Sequence, residues 1–562
     1  MTKRVKAIGL GCVIVALAWA GAGLVAQPAR TAGAPAFSAD AIMAHVKVLA
    51  SDEFEGRAPG TKGEDLTVAY ITEQFRKAGL KPGNTDGTFV QDVPLVGMTA
   101  DPAASLVFRK GGVTQTLAFK DDVVAWTKRV RDRVQIDASD VVFVGYGIEA
   151  PEYQWDDYKG ADLAGKTVIV LVNDPPIRST TDPSGLDSSV FGGRAMTYYG
   201  RWTYKYEMGA AKQAAAVFIV HETGPAAYPF SVVQSKVTEQ FDLASPDDNL
   251  GRAAIEGWIT LEQARKLFAL AGHDFDALKA RAATRAFAPV DLGVTASMTL
   301  TSAIRRITSR NVVGILPGSD PVLKDEYVAL TAHWDHYGIG PEIDGDRIYN
   351  GALDNATGVG GLIEIGRAFA GRPPAPKRSL LFLAVTAEEQ GLLGSDYYAR
   401  HPISPLNKTL AVVNIDSLNI HGRTKDLTVV GLGASDLDDY ARDAAAAQGR
   451  VLRPDARPEH GGYFRSDHFP FAKQGVPAIN AGGGEDYVGK PAGWGDRVSA
   501  EYTARHYHKP SDEIRPDWDL SGAIEDLQLY HAIAERAANA ARWPEWKPGS
   551  EFKATRDRML GR

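Results

Sequence analysis

Past residue 302 the chain alternates between short unbroken apolar runs and segments whose apolar positions recur every three to four residues. YVALTA, SLLFLAVTA, LAVVNI, LTVVGLG and VPAINA are short and almost wholly apolar, and each predicts a strand buried on both faces. TGVGGLIEIGRAFA, LDDYARDAAAAQG and the late LSGAIEDLQLYHAIAERAANAAR carry helical spacing. Strands and helices in alternation predict an α/β fold, a mostly parallel mixed sheet with helices on both faces. Nearer the start, helices are predicted over 39–50 and 61–78, the second with Leu66, Ala69, Tyr70, Ile71 and Phe75 at helical spacing. Between them SDEFEGRAPGTKG, punctuated by Gly and Pro, reads as a loop, and 106–120 alternates like a hairpin around Gly111-Gly112. From about 132 to 289 the strands DVVFVGYGI, KTVIVLVND and AAVFIVH, with helices near 204–215 and at TLEQARKLFALAG, read as a separate unit. That unit has no histidines clustered with carboxylates, which makes it a poor candidate for chemistry.

Composition adds limits. A chain of 562 residues is too long for one compact core and predicts several domains. Its 44% hydrophobic and 23% charged residues are ordinary for a globular protein, and a formal charge of -7 argues against a nucleic-acid partner. The first 26 residues differ: Lys3, Arg4 and Lys6 precede AIGLGCVIVALAWAGAGLVA, the layout of an export signal, with cleavage expected after Ala22 or Ala26. The same stretch is just long enough to span a bilayer, so an uncleaved anchor is the alternative. The expected location is therefore periplasmic or secreted, with no stable membrane span once the signal is removed. Cys12 is the one cysteine, so a processed chain has no thiol for a disulfide, a nucleophile or a zinc site. Any metal must be held by histidines and carboxylates.

Candidate ligands do stand at the predicted strand ends, where open parallel sheets bind. His333 and Asp335 follow YVALTA, Asp354 opens the next helix in NGALDNATGVGG, Glu388 and Glu389 follow SLLFLAVTA, and Asp416 follows LAVVNI. Each has a plainer reading: a chance triplet, a helix cap for Asp354 with Asn355, a solvated helix start for the two glutamates. Asp416 resists that treatment most, because a carboxylate ending an apolar strand is costly to bury unpaired.

AHWDH, NGALDNATGVG, VTAEEQGLLGS, VVNIDS, RSDHFPFAKQGVPA and YHKPSDE occur in the order and approximate spacing of the co-catalytic zinc aminopeptidases of clan MH, which this chain resembles over most of its length outside the signal. LASDEFEGRAPGTKGEDLTVAYITEQFRKAGLKP looks like the amino-terminal part of those enzymes, and the middle unit is more loosely similar to their inserted protease-associated domain. The resemblance implies a phosphorylase/hydrolase-like zinc peptidase fold. It divides the chain into a signal at 1–26, the amino-terminal part of the peptidase domain at 37–130, a β-rich inserted domain at 131–290, the main peptidase part at 302–542 and a tail at 543–562. It further implies two Zn2+ ions bridged by Asp354, with His333 and Asp416 on one, and Glu389 and His508 on the other. Glu388 would be the general base and Asp335 would orient His333; His468 is a candidate substrate contact. His336 replaces a serine frequent in the family and is read as lining the cleft, and threonine replaces serine in DNATG. The remaining histidines are read as surface or packing residues, apart from His460 and His506, which stay unassigned.

These readings imply an exported metallo-aminopeptidase acting on peptide substrates, its oligomeric state open. A glutamate-releasing carboxypeptidase is the alternative on the same scaffold. A non-catalytic receptor-like binding protein is the alternative from another class, disfavoured because all five ligand positions and Glu388 are filled.

Overall fold

A computed structural model of the chain describes residues 1–2, 35–101, 104–182, 185–235 and 239–562. The export signal expected over 1–26 lies, but for its first two residues, outside them. Within 36–562 two sheets share one strand, Val290–Leu316.

The carboxyl-terminal half of that strand belongs to the larger sheet. Val90–Ala100 and Ser379–Val385 lie antiparallel to it; then Tyr327–His333, Thr409–Asn414 and Ala478–Gly483 run parallel to Ser379–Val385. Asp426–Val430 is antiparallel to Ala478–Gly483 and pairs in parallel with Val451–Pro454. The sheet is thus parallel at its centre and mixed towards both edges. Its central strands show the two-residue alternation of a layer covered twice. Val328, Leu330, Ala332, Leu380, Phe382 and Ala384 pack with the helices Ala39–Leu49, Lys62–Lys77, Gly358–Ala370, Leu437–Ala447 and Ser521–Asn539. Ala329, Leu381, Leu383 and Val385 face the other core with Tyr398, Phe471 and Val476. Both predicted early helices form, the first capped by Ser38, whose hydroxyl accepts the Ala41 N–H. The second carries Glu64 and Asp65 in its first turn and Arg76 and Lys77 in its last, complementing the helix dipole.

The second sheet contains the hairpin Ser105–Lys110 and Val113–Ala118, the amino-terminal half of Val290–Leu316, then Arg133–Phe143, Thr167–Leu171, Ala216–His221, Ile255–Thr260 and Val123–Trp126. The change of pattern at 302 therefore falls inside a single strand of 27 residues. Residues 302–308, SAIRRIT, are largely exposed because there the strand crosses between the two cores. The tail beyond 542 is folded, burying Trp546 and Phe552 and forming the helix Lys553–Met559. Among the described residues no helix is long and apolar enough to cross a membrane.

Candidate metal centre

Strand register decides what meets at the carboxyl edge. His333 pairs with Val385, and Thr331 with Asn414, so three parallel strands end at one level. His333, the 386–389 turn and Asp416 emerge there side by side.

Asp354 links the two histidines. Its Oδ1 is 3.3 Å from His333 Nε2 and its Oδ2 is 3.4 Å from His508 Nε2. His333 Nε2 is also 3.4 Å from Asp416 Oδ1, and His508 Nε2 is 3.1 Å from Glu389 Oε2. Among the described residues, ligand atoms within 4.8 Å of one another belong to His333, Asp354 and Glu389 in one group and to His333, Glu388 and Asp416 in another. His333, Asp354 and Glu389 are buried, while Glu388, Asp416 and His508 are half-buried, so the cluster opens to solvent on one side.

The electrostatics follow from that crowding. Burial works against charge on His333, yet Glu388, Asp354 and Asp416 hold it well above the usual histidine range. His508 is raised to about 9, again against burial, by Glu389 and Asp354. Burial pushes Glu388 well above the usual carboxylate range, with Glu389, Asp416 and Asp467 adding repulsion and His333 opposing it. Four carboxylates facing two imidazoles leave more negative charge than two imidazolium ions offset, and a divalent cation neutralises such an excess. Imidazole nitrogens and carboxylate oxygens are the donors that zinc accepts, so the residues fit the metal.

Supporting groups fix these side chains. His333 Nδ1 lies 3.2 Å from the Asp335 carbonyl, which can only accept, so that nitrogen carries the proton and Nε2 is left for a metal. The Asp335 carboxylate is farther, 3.8 Å from the same nitrogen. Its oxygens instead accept the N–H groups of Glu388, at 3.0 Å, and Glu389, at 3.3 Å. Asp335 thus holds His333 through its backbone and the two glutamates through its side chain. Asp416 accepts a hydrogen bond from Ser466, which accepts one from Asn414 at 2.7 Å, which in turn accepts one from Thr331 at 2.6 Å. Asp512 accepts the N–H groups of Leu353, at 3.2 Å, and Asp354, at 3.0 Å. Asn355 accepts from Ser417 N–H at 2.8 Å and Gly358 N–H at 3.0 Å, tying the Asp354 loop to the end of the Asp416 strand while also capping the helix that follows. Tyr337 Oη is 3.1 Å from His508 Nδ1, and the Tyr507 ring stacks on His508.

Two histidines sit otherwise than their motifs implied. His336 does not line an open cleft: it is fully buried, with Nδ1 2.8 Å from Glu389 Oε1. His468 is likewise fully enclosed, its ring edge-on to Tyr463, and burial pulls it down to about 3; a neutral, sealed imidazole offers no face to a substrate. Asp467 is buried beneath Ser395, whose hydroxyl it accepts, and burial raises it to about 7. Asp512, Asn355 and Ser466 all lie inside motifs quoted from the sequence, but spacing alone does not say which ligand each supports. Arg57 ends a short 3-10 helix, Asp52–Arg57, inside the segment expected as a loop; it is buried close to Asp335, Asp354 and Glu389 and gave no sequence signal of its own.

An α/β sheet that brings two imidazoles and a carboxylate-rich shell together at its carboxyl edge has the build of a metallohydrolase. Residues 311–532 match the family model of peptidase family M28. The chain is 27% identical over 233 residues to aminopeptidase YwaD of Bacillus subtilis, a stretch covering 40% of this chain and 45% of that protein. It is 24% identical over 470 residues to a probable leucine aminopeptidase 2 of Aspergillus oryzae, covering 82% of this chain and 75% of the other. Among solved structures, an aminopeptidase from Aneurinibacillus sp. strain AM-1 superimposes with a TM-score of 0.48 at 18% identity, covering 91% of this chain and 95% of that one.

Proposed function

We propose that this chain is an exported zinc aminopeptidase that hydrolyses the amino-terminal residue from peptides. The observation that carries the reading is Asp354, whose two oxygens face two different histidines, so that one carboxylate would serve two cations. His333 and Asp416 would complete one ion's protein ligands, Glu389 and His508 the other's. Zinc, when bound, polarises a peptide carbonyl and makes water a stronger acid.

The chain's own groups supply the rest. Glu389 is turned towards His508 and is spent on ligation, whereas the adjacent Glu388 is half-exposed beside His333 and Asp416. Glu388 takes the proton from the attacking water and returns it to the departing amine. Asp335 keeps both glutamates in register by holding their N–H groups. The YwaD and Aspergillus relatives, both named aminopeptidases, favour this activity within the family.

We further propose that 131–290 is the inserted protease-associated unit, its sheet extended by the hairpin Ser105–Lys110 and Val113–Ala118 and by Val123–Trp126 from the segment expected in the peptidase part, and that it forms one wall of the approach to the site. Met196 N–H bonds the Pro458 carbonyl, Arg194 pairs with Glu459, and the Tyr198 ring packs on Phe464 and Phe469. These contacts flank Ser466, the support of Asp416.

The test is a panel of aminoacyl substrates with free and with blocked amines, beside blocked peptides with a free carboxyl end, each with chelator and after zinc is restored. Chelator-sensitive cleavage of free-amine substrates alone is expected. Cleavage of the blocked peptides from their carboxyl end would transfer the chain to the carboxypeptidase reading, and tight zinc binding without hydrolysis to a receptor.

A further inference from the structure

Arg57 is almost wholly buried, 1% exposed, and among the described residues its guanidinium pairs directly with no carboxylate. It is spent on backbone. Nε donates to the Trp334 carbonyl at 2.8 Å, Nη1 to Leu49 and Asn350 at 2.6 Å each, and Nη2 to Gly351 at 2.9 Å. Trp334 separates His333 from Asp335, and Asn350 and Gly351 lead into Asp354. One planar fork therefore ties together the two loops that carry those ligands. The Arg57 carbonyl adds a fifth link by accepting the His336 N–H.

The backbone leading into Arg57 is specialised for this close approach. Glu55, Gly56 and Arg57 are consecutive residues with φ of 47°, 65° and 54°, a left-handed run that side-chain-bearing residues rarely adopt. A Cβ on Gly56 would stand 2.5 Å from the Tyr349 carbonyl, so only glycine lets the turn sit this close to the strand entering the Asp354 loop. Burial draws the guanidinium down to about 10, and its charge is offset by Asp512, Asp335, Asp354 and Glu389, the same anions that surround the ligand cluster.

We infer that Arg57 is a positioning residue of the metal centre: it sets the spacing between His333 and Asp354 before any metal arrives, although it lies well outside the stretch 311–532 that matches the peptidase family. The inference rests on the zinc reading of the site. Lysine cannot replace Arg57, because a single ammonium cannot reach carbonyls arranged around a planar fork.

The experiment compares zinc affinity, by competition with a chromophoric chelator, in wild type, Arg57→Lys and Arg556→Lys. Arg556 is also a buried arginine that donates to backbone carbonyls, of Leu406 and Thr409, none of them part of the ligand loops, so it controls for general destabilisation. Arg57→Lys should lose about tenfold to 100-fold in zinc affinity, and Arg556→Lys should stay within about threefold of wild type. Equal affinities for Arg57→Lys and wild type overturn the inference; absence of zinc binding in wild type overturns the zinc reading beneath it. Hydrogen exchange on the metal-free wild type gives a second readout that needs no variant. The amide of His336, which the Arg57 carbonyl accepts, should exchange slowly without zinc and change little on adding it; exchange at free-chain rates in the metal-free protein overturns the inference whether or not Arg57→Lys folds.

Discussion

Replacing Asp335 by asparagine separates a carboxylate that organises the metal centre from one that merely fills space. The side chain is fully buried, and each oxygen accepts one backbone N–H from the glutamate pair, at 3.0 Å and 3.3 Å. Asparagine keeps the volume but turns one acceptor into a donor, so above about pH 7, to which burial raises the Asp335 carboxyl, one N–H loses its bond to a charged acceptor and meets an opposing N–H. A hydrogen bond to a charged group contributes about 1.5 to 3 kcal/mol, and a buried donor left unmet costs a similar amount. Taking about 2 to 3 kcal/mol as the loss felt at the turn, the variant should fall by roughly 30-fold to 160-fold in the product of zinc affinity and turnover. Chelator competition gives the affinity, turnover of a free-amine aminoacyl anilide per bound zinc gives the chemistry, and the melting temperature of the metal-free form gives the fold's share. Wild-type zinc affinity and wild-type turnover in Asp335→Asn would refute the reasoning. A lowered melting temperature with both of those intact would make Asp335 a strut of the fold and nothing more.

Glu388→Gln should retain zinc to within about threefold, because Glu389 and not Glu388 is turned to His508, while losing about 100-fold or more in kcat as the proton acceptor disappears; metal content against turnover decides, and an active, zinc-loaded variant removes Glu388 as base. Asp157 offers a pH test remote from the metal. Burial raises it from 3.8 to about 7, against the Ile148 and Trp155 N–H groups it accepts, so its contribution to stability is full below pH 3.8 and fades as pH rises through about 7. Asp157→Asn should flatten the fall in melting temperature between about pH 4 and about pH 7, and identical slopes in variant and wild type would rule the assignment out.

What the sequence made legible has a common physical basis. Central strands read clearly because burial on both faces leaves no room for polar residues, so YVALTA and SLLFLAVTA announce themselves, and the candidate ligands stand just past them because a carboxylate cannot interrupt such a run. The long Val290–Leu316 strand did not read as one element because its two halves serve different sheets, and its exposed middle, SAIRRIT, carries the charges of a surface segment. His336 was misplaced for a related reason. A histidine beside a ligand looks like a cleft residue until the fold puts it underneath, where it lies 2.8 Å from the oxygen of Glu389 that is turned away from His508. The supports of the site were the least legible, and necessarily so. Arg57 acts on carbonyls of residues 49, 334, 350 and 351, and a backbone carbonyl is the same at every position, so no residue type at the far end marks the contact. Asp512 likewise holds N–H groups of residues 353 and 354, about 160 positions away. Candidate ligands are visible in a sequence because a metal demands particular atoms, whereas the groups that aim such side chains bond to the uniform part of the chain and become visible only once the chain is folded.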